Sequence, residues 1–295
     1  MSKRLVVRPF GRMTSLLATV GLTGAVAACT VTQSRSPDEA RPIPGWHLSW
    51  SDEFDGPGID RTRWAVENVS TFGDGNSELA CLMDRPQNVQ VAGGRLALRA
   101  LRESPPLVCG DSDERFPAGR DFSSAMLTTA GKSSWRYGRF EIRARLPTAP
   151  GSSQGLWPAF WLRPVDGGGG EIDVLEAVGT GRDLAEVAKV HQTIWPNGSG
   201  SYQKESNSWT MAQDPSVGFH VYAFEWESHS LTWFVDGQQV YQRTQQTTPW
   251  LTDAFSRPFF IRLNLAVGGS WPGPPSSATD LPAAFDVDWV RVYQR

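Results

Sequence analysis

From residue 46 onward, apolar and polar side chains alternate in short runs, the period-two pattern of strands with one buried face. Residues 88–91 and 95–101 alternate on either side of Gly93 and Gly94, which predicts a hairpin. Residues 139–146 alternate throughout and stop at Pro147, as a sheet strand with one polar face would. Residues 219–226, 231–235 and 240–241 continue the pattern, with a turn at Asp236 and Gly237. Two last strands are predicted over 258–266 and 285–293. Residues 183–190 fit a short helix or a strand; no long helix is indicated, and there is no internal repeat. Many short strands broken by Gly, Pro and Asp turns predict an all-β fold, a two-sheet β-sandwich.

One stretch breaks the pattern. Glu171–Ile172–Asp173–Val174–Leu175–Glu176 has a strand's apolar filling but a charge load that an ordinary strand avoids, and it follows the run Gly167 to Gly170. Alternation places Glu171 and Asp173 on one face and Glu176 on the other. A β-bulge near Val174 or Leu175 would return Glu176 to the face of the other two. The two Glu Cα atoms would then lie roughly 13 Å apart, and inward-leaning side chains would bring their carboxyls to about 5 Å. That is the separation of a retaining glycosidase pair. The plainer reading, acids keeping a strand edge soluble, is opposed by Gly155–Leu156–Trp157–Pro158–Ala159–Phe160–Trp161 just ahead. Indole faces stack on the C–H faces of sugar rings, and Trp is costly to expose.

Composition narrows the class. The chain has 295 residues, 13 of them Trp, with a formal net charge of −3. A near-neutral balance argues against a nucleic-acid partner and leaves no polybasic patch for anionic lipid. Residues 1–29 read as a signal peptide: Lys3, Arg4, Arg8 and Arg12 open it, and an apolar run follows that is too short to span a membrane. The run Val26–Ala27–Ala28–Cys29 resembles a bacterial lipoprotein cleavage site with Cys29 as the lipid acceptor, the plain alternative being a secretory signal cut nearby. Either way export is expected, to the cell membrane by a lipid anchor or to the medium. Residues 30–45 read as a disordered tether and 46–295 as the folded domain. In an exported chain the remaining pair, Cys81 and Cys109, suggests a disulfide.

The central blocks resemble the signature of glycoside hydrolase family 16 in the bulged, laminarinase-like form. The likeness extends to Asp52–Glu53–Phe54–Asp55–Gly56 with Trp64, Gly75–Asn76–Ser77–Glu78 and Tyr137–Gly138–Arg139–Phe140–Glu141–Ile142–Arg143. It continues through Phe234–Val235–Asp236–Gly237, Asn264–Leu265–Ala266–Val267–Gly268–Gly269 and Val287–Asp288–Trp289–Val290–Arg291–Val292–Tyr293. The resemblance implies a jelly roll with a concave substrate cleft and retaining endo-hydrolysis of β-1,3 linkages in a neutral β-glucan. It assigns Glu171 as nucleophile and Glu176 as general acid and then base. Neighbouring anions should hold a proton on Glu176, and Asp173 is expected to hydrogen-bond Glu171 and keep it ionised.

Trp157 is the first choice for a sugar platform, Trp161 is platform or core, and Trp271 is a subsite residue on a loop. Asn76 and Asn264 are candidate partners of sugar hydroxyls. His191 opens a segment where laminarinases often show His-x-Thr-x-His, and Trp195 replaces the second His. With four His and no Cys/His cluster, no catalytic metal is expected. Some relatives carry a structural calcium ion, and the matching positions here are Asp288 and the backbone of Gly94. A monomer is expected. Other readings of the same scaffold are hydrolysis or transglycosylation of β-1,3-1,4-glucan or galactan, and a non-catalytic β-glucan-binding protein, which would lack one or both Glu.

Overall fold

The computed structural model describes residues 42–69, 76–109, 114–180, 183–197 and 203–295. The signal segment, Cys29, Gly75 and most of the tether lie outside the described residues. The chain opens with strands β1 (His47–Asp52), β2 (Ala65–Val66), β3 (Ala80–Leu82), β4 (Val89–Val91), β5 (Leu96–Leu107) and β6 (Arg120–Thr128). Next come β7 (Gly138–Arg145), β8 (Leu156–Pro164), β9 (Glu171–Glu176), the short helix α1 (Leu184–Val187), β10 (Lys189–Trp195) and β11 (Glu205–Thr210). β12 (His220–Trp226), β13 (Ser230–Val235), β14 (Gln238–Thr244), helix α2 (Leu251–Ala254), β15 (Phe259–Val267) and β16 (Ala283–Gln294) complete it.

Hydrogen bonding runs β11-β10-β9-β8-β15-β6 and on through β5-β16-β7-β12-β13-β14, so one nearly closed sheet folds into two layers of a jelly-roll-like sandwich. The alternating runs supply the filling. Phe140, Phe224, Trp226 and Trp233 from one layer meet Phe160, Ile172, Phe259 and Leu263 from the other, all fully buried. The Trp226 and Phe259 rings cross between layers edge to face at 5.2 Å. Such side chains contribute roughly 1.5–3 kcal/mol each on burial, which is why the faces with large apolar residues turn inward.

The hairpin over Gly93 and Gly94 is formed by β4 and β5. Residues 183–190 are both of the alternatives, helix α1 and then the start of β10, with the Asp183 side chain capping the helix through the Glu186 amide at 3.1 Å. Strands β1, β2, β3, β6, β8 and β11 escaped the sequence pattern, and two of them show why. β6 is buried at every position but Asp121, so both of its faces are covered and alternation gives no signal. β11 is a polar edge strand, with Trp209 as its one large apolar residue. Cys81 and Cys109 form a disulfide that ties β3 to the chain beyond β5.

The block that begins at Asp52 is structural. The Arg291 guanidinium donates to both carboxylate oxygens of the buried Glu53, at 2.9 and 2.8 Å, while Trp64 Nε1 donates to Asp52 Oδ2 at 2.8 Å. Together they clamp the start of the domain against β16.

β9 departs from regular pairing where its acids require it. Trp161 faces Asp173 and Phe160 faces Leu175, so Val174 has no partner on β8. On the other side, one residue of β10, Gln192, spans Val174 and Leu175. A bulge removes ladder bonds from its carbonyls, and here Trp233 Nε1, coming from β13 through the core, donates to the Asp173 carbonyl at 3.0 Å. Trp233→Phe keeps a ring in the core but strands this carbonyl. It is expected to lower the unfolding free energy by at least about 2 kcal/mol, measured by urea titration.

Candidate functional site

Alternation along four strands aims side chains into one cavity of about 600 Å³. β8 contributes Trp157, Ala159, Trp161 and Arg163; β9 contributes Glu171, Asp173 and, past the bulge, Glu176. β10 adds His191, Thr193 and Trp195, and β15 adds Arg262, Asn264 and Ala266. Register explains the spacing: Ala159 and His191 flank Glu176, Trp161 and Thr193 flank Asp173, and Trp195 lies beside Glu171. Trp271 and Asn76 close the rim, where the Asn76 carbonyl accepts from the Ser270 amide at 2.6 Å.

The three acids are unlike one another. Glu171 is buried, and its Oε2 accepts from Arg163 Nη1 at 2.9 Å. Burial raises its pKa, and the Arg163 hydrogen bond and the charges of Arg163 and Arg262 oppose that rise. Asp173 is pushed well up by burial and then by the charges of Glu176 and Glu171, with a hydrogen bond from Trp195 acting the other way. Glu176 is pushed up to about 8, by burial first and by Glu171 second, against the hydrogen bond from Trp157. Three carboxyls in one enclosure cannot all ionise. Glu171 has two arginines and Glu176 only Lys204, so the charge settles on Glu171 and the proton on Glu176.

Asp173 and Glu171 each have a hydrogen-bond donor of their own. Arg163 holds Glu171, and Trp195 holds Asp173. A planar guanidinium supplies charge as well as a donor, so Arg163 favours the ionised form of Glu171. The residue standing in for the second His is therefore a hydrogen-bond donor to the central acid.

Trp157 is buried and gives its Nε1–H to Glu176 Oε1 at 3.0 Å, so little of its face is left for stacking. Trp161 is half-buried, donates to Asn264 Oδ1 at 2.7 Å, and carries the Arg262 guanidinium over its ring at 4.6 Å. Trp271 is the open aromatic of the group, 43% exposed, set edge to face against Trp157 at 5.3 Å and His191 at 4.7 Å. His191 pairs through Nδ1 with Ser208 Oγ at 2.8 Å, and burial drives its pKa down to about 4, leaving a neutral imidazole near Glu176.

Sequence reasoning missed Arg163, Arg262 and Lys204. The first two lay within its reach: Arg163 is two positions past Trp161, and Arg262 two before Asn264, on the same alternating faces. Lys204 sits over the Trp195 ring at 4.9 Å, one residue before a strand that gave no signal.

Asp288 and Gly94 do not join this cavity. The Asp288 carboxylate accepts from Arg143, and Gly94 lies against Asp55 Oδ1. Among the described residues no group of three or more His, Cys, Asp or Glu converges as a metal site. A carboxylate already shared with a guanidinium is a weak donor for a hard cation, so the side-chain donors fit calcium poorly.

The family model for glycosyl hydrolases family 16 matches residues 64–291. A beta-glucanase of Rhodothermus marinus is 36% identical over 94% of this chain and 94% of its own length. Glucan endo-1,3-beta-glucosidase A1 of Niallia circulans is 34% identical over 85% of this chain, which spans 38% of that protein. The crystal structure of the laminarinase catalytic domain of Thermotoga maritima superposes with a TM-score of 0.71 at 33% identity, covering 85% of this chain and 98% of that one.

Glu176 links the site to stability. Its folded pKa of about 8 lies above the ordinary 4.5, so its favourable contribution is full below about pH 4.5 and is lost as pH rises through about 8. A Gln at this position cannot ionise. Urea unfolding from about pH 5 to about pH 9 is expected to show Glu176→Gln gaining on the wild type steadily as pH rises; a gap independent of pH would refute the protonated assignment.

Proposed function

The chain belongs to glycosyl hydrolases family 16, and from that premise we propose that it is a retaining endo-β-1,3-glucanase acting on a neutral, laminarin-like β-glucan. The observation that carries the reading is the division of labour in the cavity: a carboxylate beside two arginines, facing a carboxyl that burial keeps protonated near neutral pH.

In the first step Glu171 attacks the anomeric carbon while Glu176 gives its proton to the departing glycosidic oxygen. The bond to the leaving sugar breaks as the bond to Glu171 forms, and Glu176 is left ionised. In the second step Glu176 takes a proton from water, whose oxygen attacks the same carbon and releases Glu171. Trp157 stabilises the ionised Glu176 between the steps, through the bond it donates. Trp195 keeps Asp173 oriented between the two Glu. Trp271 offers the open ring on which a sugar can stack.

Export through residues 1–29, with Cys29 as lipid acceptor, belongs to the same reading and rests on that segment's basic start and apolar run. A monomer is likewise a proposal, whereas the side-chain donors near Gly94 and Asp288 do not support the calcium ion that the family resemblance implies.

Glu171→Gln is expected to lose at least about 10³-fold in kcat while still binding laminarin-derived oligosaccharides. Proton NMR of the first products from the wild type should detect the β-anomer; an α-anomer, or laminarin left intact beside a degraded galactan, would overturn the proposal. Trp157→Phe removes a bond that favours the ionised form of Glu176, so the Glu176 pKa rises. The high-pH limb of kcat/KM should therefore move to higher pH with the low-pH limb in place, as read from a pH–rate profile.

A further inference from the structure

A second cavity, of about 310 Å³, lies on the other layer, on the outward face of β4, β5, β7 and β16. Leu96, Leu98, Ala144 and Phe285 turn into the core, so their neighbours Ala97, Arg99, Arg145, Ala284 and Asp286 turn outward and line it, with Arg95 at the hairpin. We propose that this groove is an anion-binding site, separate from the acid-lined cleft, that takes the carboxylates of an acidic, uronate-bearing polysaccharide.

Charge is the first argument. Arg95, Arg99, Arg143 and Arg145 gather here against Asp286 and Asp288, a local surplus of positive charge on a chain whose net charge is −3. Among the described residues Arg95 and Arg99 meet no carboxylate at ion-pair distance; Arg99 reaches only the neutral Gln90, at 3.4 Å.

Convergence is the second. The guanidiniums of Arg95, Arg143 and Arg145 surround the single ring of Phe219, at 5.8, 5.0 and 5.7 Å from its centre. Cation–π contacts hold them in place, and an anion placed among them relieves their mutual repulsion. The choice of carboxylate comes from Asp286, which already accepts from Arg145 Nε at 3.1 Å inside the groove. Ala97 and Ala284 leave the floor open, so a chain of sugars can cross it with its acid groups at the guanidiniums.

Affinity electrophoresis through polygalacturonate at about 20 mM salt, where surface charges are little screened, tests this. The wild type should be retarded, and about 0.2 M salt should abolish the retardation. Arg95→Gln with Arg99→Gln should weaken binding by about tenfold or more, with hydrolysis of soluble β-1,3-glucan and the melting temperature unchanged. Arg95→Ala alone, at an exposed hairpin position, should lose part of the binding and serves if the double variant folds poorly. Several results would overturn the proposal: no retardation of the wild type, variants that bind like the wild type, or displacement by neutral β-1,3-gluco-oligosaccharides, which would put the polymer in the catalytic cleft. Stronger retardation by polyphosphate than by polygalacturonate would overturn the choice of carboxylate.

Discussion

The hydrogen bond from the Trp233 indole to the Asp173 carbonyl, made inside the core at 3.0 Å, governs the rest of the molecule. It gives a donor to a backbone carbonyl beside the bulge at Val174. Without an answer, a buried carbonyl would cost about 1–3 kcal/mol, and a regular strand would compete with the bulged one. The regular form would turn Glu176 into the core and dismantle the site. The donor comes from the opposite layer, so the packing that stabilises the sandwich also selects the irregular backbone on which the acids depend.

That backbone brings three carboxyls into a place where burial opposes ionisation. Their arrangement is tolerable because each has a different partner: Arg163 for Glu171, Trp195 for Asp173, Trp157 for Glu176. Arg163, which both bonds Glu171 and carries charge, with Arg262 behind it, favours charge on that acid. An indole N–H favours ionisation more weakly than a guanidinium does, so Glu176, with Trp157, can still hold its proton near neutrality. Acid and nucleophile are thus separated by second partners and not by any difference in residue type.

Much of the fold was legible in the chain because one-sided strands write their burial into alternation, as in β7 and β12. β6 was not, since both of its faces are covered, and β11 was not, since its residues are mostly polar. The acids and the need for a bulge near Val174 were readable from the clash between charge count and strand periodicity. What held the bulge was not: Trp233 is sixty positions from Asp173, and no local pattern announces a contact across two layers. The partners of the acids were hidden in the same way. Arg163 looked like an ordinary polar strand residue until the register set it beside Glu171.

Trp195 carries that lesson furthest. As a sequence feature it was a departure, an indole where related chains often place an imidazole. As a structural feature it donates to Asp173. The two rings differ in what pH does to them. An imidazole near a carboxylate changes charge close to neutrality, while an indole N–H keeps the same proton throughout. With Trp195 in place, Asp173 has a donor of constant charge. The titrations that remain in the cleft are those of the acids themselves, because His191 is already neutral there.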